Sequence, residues 1–415
     1  MIPVGFGIRL EQIKTEAPKK MRQVLIQRGH YEGERISALT QFYVILTVIF
    51  ILNTILDIYN LEANQLEEKI FRFKNINMLI CALAYPLLDK STYRLITYIE
   101  NQGHTGLAFK STPARKTLQH QLNAELYHVN KLTSTIVVST LGTLSVAPLL
   151  AAIFKIYVQK SVGSQIDVSR FALPISFWYP EQFKTTFVYF SLYVLQVIYI
   201  YLFAGYMYCG LTSGIMALKI TIYYLKLLCL TVEEWDGNDM ENNYDANYEN
   251  FDDGENSTGS KNMRKFENNI VEHDLSLLKT DIVNVIKFHD IICSRASGMN
   301  KDFEMMYTIL NNTICFQMCV CLYSSAKMND LVLKIENFLI IMPLAGMLFL
   351  YCFYAQQLLN EGEKFRTTLW ESNFIDKPKW FKSSMLIIMI RIAKELEIKP
   401  FGFYVLNLRT FSMVL

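Results

Sequence analysis

Stretches with almost no charge recur along this chain from residue 39 to the C-terminal residue. A helix rises about 1.5 Å per residue, so roughly 20 mainly apolar residues cross a bilayer core about 30 Å thick. On that scale the pattern predicts an all-α, polytopic membrane protein with about seven spans. The first runs from Leu39 to Leu61, rich in Ile, Leu, Val and Phe. The second, Ile70 to Leu88, is weaker and contains Asn75, Asn77 and Pro86. The third, Leu132 to Val158, carries no charge until Lys155. The fourth begins near Phe183, passes through the aromatic-rich stretch Tyr189 to Tyr208, and reaches Leu230. Met305 to Ala326 reads as the fifth, and Phe338 to Leu359 as the sixth and cleanest. A seventh is expected over Phe401 to Leu415, where about 15 residues give roughly 22 Å of helix, a partial span.

The polar stretches divide the chain into a cytosolic segment 1–38, a first group of spans within 39–230, and an insert over 231–279. A cytosolic helix with the next two spans (280–359), an anchor segment (360–400) and the start of the last span (401–415) follow. Segment 233–274 is rich in Asn, Asp, Glu and Gly, too polar to offset its conformational entropy by burial, so its first half reads as disordered. It holds a glycosylation acceptor, Asn256-Ser257-Thr258, which a cytosolic loop would leave unmodified. From Thr280 to Lys301 a helical stripe returns, with Ile282, Val285, Ile286 and Phe288 clustered. The run Met385 to Ile390, between Lys382 and Arg391, is too short to span and suits a membrane-proximal helix.

Charge sets the orientation. With the N-terminus inside, cytosolic segments hold roughly 29 Lys and Arg against about 9 outside, and about 21 to 9 without the long insert. The chain is 19% charged, below the quarter usual for soluble proteins, which again points to lipid. A net charge of +2 and no basic stripe set nucleic acid aside as a partner. Nearly all eight cysteines fall in or beside apolar segments, which argues against a disulfide framework. The N-terminus lacks the form of a secretory signal, so the first span must drive insertion.

No catalytic constellation is present: no phosphate loop, no HExxH, no nucleophile elbow. No enzyme activity, no cofactor and no metal site are therefore expected. Cys315, Cys319 and Cys321 read as small packing residues, and His289 beside Asp290 as a structural histidine. Gly210 to Gly214 has the small-xxx-small spacing of a close helix contact, here within the subunit. The spans carry few charges, among them Asp57 and Lys219, with Asp57 read as solvated near an interface. Trp178, Tyr179, Tyr189, Phe190, Tyr193, Tyr199 and Tyr201 crowd the outer entry of the fourth span. They fit an interfacial aromatic belt, or an apolar pocket for a small volatile ligand.

The stretch from Leu350 to Phe411 resembles insect odorant receptors. Tyr351-Cys352 stands where the family ends a helix in an aromatic-Cys pair. Ser384 to Arg391 matches its cytosolic anchor helix, and Gly402 with Leu406 to Phe411 its entry to the last span. Trp370 replaces a usual Tyr, and Phe374 a usual Trp. Fainter likenesses reach back to Leu173-Pro174, Trp178-Tyr179-Pro180 and His289.

The resemblance implies an odorant-gated, non-selective cation channel subunit, tetrameric with a common co-receptor, its last helix lining the pore. Ligand contact is expected at Phe73, Thr143, Ala147, Trp178, Tyr189, Tyr193, Phe316 and Met342. The pore face is expected at Leu406, Thr410, Phe411 and Val414. The family's last helix continues about one motif past its Thr-Phe pair, whereas this sequence stops at Leu415. The pore helix therefore reads as truncated, and this form is expected not to conduct unless extended. The acidic insert is long for the family. A gustatory receptor would end in T-Y-x(5)-Q-F, which Thr410-Phe411 does not begin. A G-protein-coupled receptor would carry D-R-Y or N-P-x-x-Y motifs, and a transporter more charged or broken mid-membrane helices.

Overall fold

A computed structural model of the chain describes residues 7–8, 21, 23, 38–61, 66–87, 89–100, 109–110, 112–161, 173–183, 185–237, 259–327, 331–375, 377–393, 396–400 and 404–414. Among them the helices are α1 (Ala38–Asn60), α2 (Leu66–Leu87), α3 (Asp89–Glu100), α4 (Pro113–Ser161) and α5 (Thr186–Gly237). They continue with α6 (Gly259–Lys327), α7 (Leu331–Glu371), α8 (Lys379–Ile392) and α9 (Leu408–Val414). The strands among the described residues are one two-residue antiparallel pair, β1 (Gly7–Ile8) with β2 (Phe109–Lys110). Among the described residues four helices, α1, α4, α5 and α7, hold stretches long and apolar enough to cross a membrane.

Helix starts follow local chemistry. Thr112 caps α4, its hydroxyl accepting from the Arg115 N–H at 3.4 Å, and Pro113 fills the first helical position, where no N–H is needed. Thr185 does the same for Val188 at the start of α5. Asn407 caps α9, accepting from the Thr410 N–H at 2.8 Å. The helices also run well past the apolar windows. The third expected span opens at Leu132, but α4 begins at Pro113, because its amphipathic first turns pack on α5. The cytosolic helix expected over 280–301 and the span expected over 305–326 are one 69-residue helix, α6, about 100 Å long. Asn300 and Lys301 interrupt hydropathy there without breaking helical backbone. Of the stretch read as disordered, residues 233–237 are helical and end α5, while residues 238–258, Asn256 among them, lie outside the described residues.

α5 is the axis. It packs on α4, α7, α3 and α6, and nearly every side chain from Cys209 to Leu225 is buried. Polar groups on it are matched by neighbours: Tyr208 donates to Asn130 Oδ1 at 2.6 Å, and Thr212 bonds Thr133 at 2.9 Å. Lys219 reaches Glu125 at 2.8 Å and Gln357 at 3.3 Å, with its ammonium over the Tyr354 ring. Arg115 pairs with Glu234 where α4 meets the end of α5. At Gly210, α7 approaches closely enough for the Tyr351 hydroxyl to bond the Gly210 and Leu211 carbonyls at 3.4 and 3.3 Å, so the small-xxx-small site is an intrachain contact. The outward face of α1 is as apolar as its inward one: Phe42, Ile45, Val48, Ile49, Leu52, Ile55 and Leu56 are exposed. Such a face suits lipid, which leaves only backbone and sparse polar side chains to be satisfied within the protein.

Candidate ligand-binding site

At the end of the bundle where α4 joins α5, residues 173–180 fold over α1, α2 and α5. Side-chain amides hold this segment as strands hold each other. Asn53 Nδ2 donates to the Trp178 carbonyl at 2.8 Å, and its Oδ1 accepts from the Trp178 N–H at 2.7 Å. Gln196 repeats the pattern on Ile175, at 2.9 and 3.0 Å, with both residues fully buried. Asn75 Nδ2 donates to Ser176 Oγ at 2.7 Å, and Thr54 to the Ser176 carbonyl at 3.3 Å. The Asn53 and Gln196 amides each satisfy a backbone donor and a backbone acceptor, and Gln196 does so where both residues are fully buried.

Beneath this segment lies a packed aromatic set. Tyr43 stacks on Tyr199 at 5.2 Å, Phe50 meets Tyr199 edge-on at 5.0 Å, and Phe177 caps Phe50 at 6.1 Å. The Tyr43 hydroxyl donates to the Ala82 carbonyl and Thr47 bonds the Tyr199 hydroxyl, both at 3.1 Å. A second, smaller cluster joins Tyr189 and Tyr193 of α5 to Ala152 of α4, with the Tyr193 hydroxyl donating to the Ser145 carbonyl.

Between α2, α6 and α7 runs a polar seam inside otherwise apolar helices. Buried Lys74 donates to Asn337 Oδ1 at 3.2 Å, and Asn77 to the Thr313 carbonyl at 3.1 Å. Gln317 Oε1 and Asn337 Nδ2 are buried with no hydrogen-bond partner among the described residues. An acceptor and a donor left open in a dry seam are what a ligand with one polar group can satisfy.

A scan against family descriptions matches the 7tm Odorant receptor family over residues 110–415, more than half of the chain. The chain belongs to that family. No curated protein sequence matches this receptor chain. Among solved structures it resembles the insect olfactory receptor OR5 from Machilis hrabei, with a TM-score of 0.69 at 13% identity, covering 95% of this chain and 93% of that one. The same receptor in complex with eugenol gives a TM-score of 0.65 at 13% identity, with 96% and 94% covered. At that identity the likeness concerns the fold, that of a polytopic helical membrane receptor.

In this receptor chain the expected ligand residues do not all converge. Tyr189 and Tyr193 are buried together, and Trp178 sits in the clamped segment with 38% of its surface exposed. Thr143 is half-buried on α4 and bonds the Ser139 carbonyl. Phe73, Phe316 and Met342 are 51%, 42% and 60% exposed, pointing away from the packed interior. The side chain of Ala147 lies outside those described. Of the expected pore residues, Leu406 precedes α9 and is buried in the subunit's own core, its N–H held by the Ile398 carbonyl at 3.0 Å. Phe411 packs edge-on against Phe349 at 5.4 Å, and Thr410 is taken up by the Asn407 cap. The Val414 side chain is also outside those described.

The receptor's other singled-out groups are internal ties. Asp57 is buried against Arg72 instead of solvated, and Lys219 is paired as above. His289 and Asp290 diverge: Asp290 meets Arg391 at 2.7 Å, while His289 turns inward beside Cys293. Burial lowers the His289 pKa to about 4, helped by Arg391 and opposed by Asp290. The cysteines are free, and no cluster of three metal-ligating side chains occurs among the described residues. Asn53, Gln196, Gln317 and Asn337 escaped sequence reasoning. Their signal was an isolated amide inside an apolar span, which has to find a partner.

Proposed function

We propose that this receptor is the tuning subunit of an odorant-gated, non-selective cation channel and assembles with a co-receptor subunit in a tetramer. The family match, with a fold shared along 95% of the chain, carries the reading. Its ligand is a small, neutral, volatile molecule with an apolar body and one polar group, of the class to which eugenol belongs. The loop-end aromatics and the α2–α6–α7 seam supply complementary chemistry, apolar walls and an open amide donor and acceptor. Thr143, Ala147, Trp178, Tyr189 and Tyr193 belong to that end of the molecule, and Phe73, Phe316 and Met342 to its outer surface, where they meet lipid or another subunit. The excess of basic residues in loops assigned to the cytosol supports a cytosolic N-terminus, and the family match supports a place in the plasma membrane of an olfactory sensory neuron.

In the assembled channel α9 faces the central pore, with Thr410, Phe411 and Val414 along its length. The test is whole-cell current in cells expressing the chain with a co-receptor subunit, against a panel of small phenols, esters and alcohols. Ligand-evoked current that needs both subunits and reverses near zero in mixed cations is expected. A receptor delivered to the surface that stays silent to the whole panel would refute the channel reading.

A further inference from the structure

A cavity among the described residues lies away from the loop end. About 200 Å³ of space opens between α5, α6, α7 and α8, with Leu225 and His289 at its inner wall and Ile392 of α8 closing it. An apolar cavity of about 150 Å³ suffices to hold benzene in a protein interior. The space here is larger and differently lined. His289 and Phe365, with ring centroids 5.9 Å apart and planes tilted by 36°, present two aromatic faces to the space. Leu359 and Leu396 add apolar surface, and Gln356 and Asn360 add amides.

We propose that this cavity is a second ligand site, for a small neutral aromatic molecule bearing a hydroxyl group. Neutrality follows from the lining charges. The lining's one carboxylate and one guanidinium, Glu363 and Arg366, pair with each other at 3.3 Å, so the wall offers an ionic guest no net counter-charge. The hydroxyl follows from His289, which is 3% exposed and whose ring nitrogens meet only the Cys293 thiol, at 3.4 and 3.8 Å, among the hydrogen bonds described. A thiol is a weak partner, so the neutral imidazole keeps acceptor capacity for an O–H that enters the cavity. The aromatic ring follows from the tilted His289 and Phe365 rings, against which it can stack or pack edge-on, and from the volume. An occupant would touch α5, α6, α7 and α8 at once, and so would tighten α8 onto the long helices that lead to α9.

The test uses the full-length receptor in nanodiscs with 4-fluorophenol and 4-fluorotoluene as probes, read by ¹⁹F line broadening and competition. The parent is expected to prefer the phenol by roughly three- to tenfold, the worth of one hydrogen bond to a neutral acceptor. His289→Phe should abolish that preference while still binding both probes. Leu359→Trp, which fills the space, should weaken both by at least about tenfold, and a cooperative unfolding transition checks that each variant is folded. The proposal is overturned if the parent binds neither probe, or if Leu359→Trp binds as the parent does. Binding that survives Leu359→Trp but is lost in Tyr193→Ala belongs to the loop end and overturns it too. A phenol preference unchanged in His289→Phe removes the assigned hydroxyl contact.

Discussion

Replacing Gln196 by Met should release the segment that covers the loop end. The side chains are close in volume, so the change leaves little void and isolates the two hydrogen bonds to Ile175, at 3.0 and 2.9 Å. Both residues are fully buried, so the Ile175 N–H and C=O are left unpaired where water enters only if the segment lifts. An unsatisfied buried donor or acceptor costs about 1–3 kcal/mol, so the pair together costs about 3 kcal/mol once partial opening relieves some of the loss. At about 1.4 kcal/mol per factor of ten, amide exchange across 173–178 should speed by roughly 100-fold in hydrogen-exchange mass spectrometry, with α5 itself unchanged. Asn53→Ala breaks the matching pair on Trp178, which is 38% exposed and can turn to water, so its effect should be nearer fivefold. Exchange within threefold of the parent in Gln196→Met, or a larger effect from Asn53→Ala, would refute burial of the clamp as the source of its strength.

Other perturbations follow from the same contacts. Glu125→Ala strands the Lys219 ammonium and should destabilise the receptor by about 1–2 kcal/mol, a modest figure because Glu125 is 47% exposed; adding Lys219→Met should restore part of the loss in thermal unfolding. His289 has a folded-state pKa of about 4, below the ~6.5 of a free imidazole, so the unfolded chain takes up the proton first as pH falls. Its contribution is whole above pH ~6.5 and is lost toward pH ~4, by about 3 kcal/mol at most, and His289→Phe should flatten the dependence of Tm on pH across that window. Gln317→Leu removes an open acceptor from the seam and should raise the half-maximal concentration of hydroxylated ligands by roughly tenfold while leaving hydrocarbons of the same shape unaffected, as dose–response currents would show.

How far the sequence reveals this receptor depends on the range of the interaction. Apolar windows are local, so α1, α5 and α7 are legible from hydropathy, and the anchor-helix resemblance over Ser384 to Arg391 places α8. The continuity of α6 is not, because hydropathy falls at Asn300 and Lys301 while the helical backbone carries on, Asn300 bonding the Glu397 carbonyl at 2.7 Å. Pairings across the bundle are less legible still. Lys74 meets Asn337 and Asn53 meets Trp178 across 263 and 125 positions of chain, and no local pattern couples such residues. For the same reason the aromatic crowd divides in a way that composition hides. Tyr189, Tyr193 and Tyr199 turn inward while Phe187, Phe190 and Tyr201 stay exposed, a matter of which side of α5 faces a neighbour.

The most direct measurement of the central claim is ligand-evoked cation current in cells carrying the receptor chain and a co-receptor subunit, with the parent and Tyr193→Ala compared. The account predicts a non-selective current absent from cells with the co-receptor alone, its ligand sensitivity shifted by roughly tenfold in Tyr193→Ala. Surface-delivered receptor with no current to any ligand, or a current indifferent to Tyr193, would contradict it.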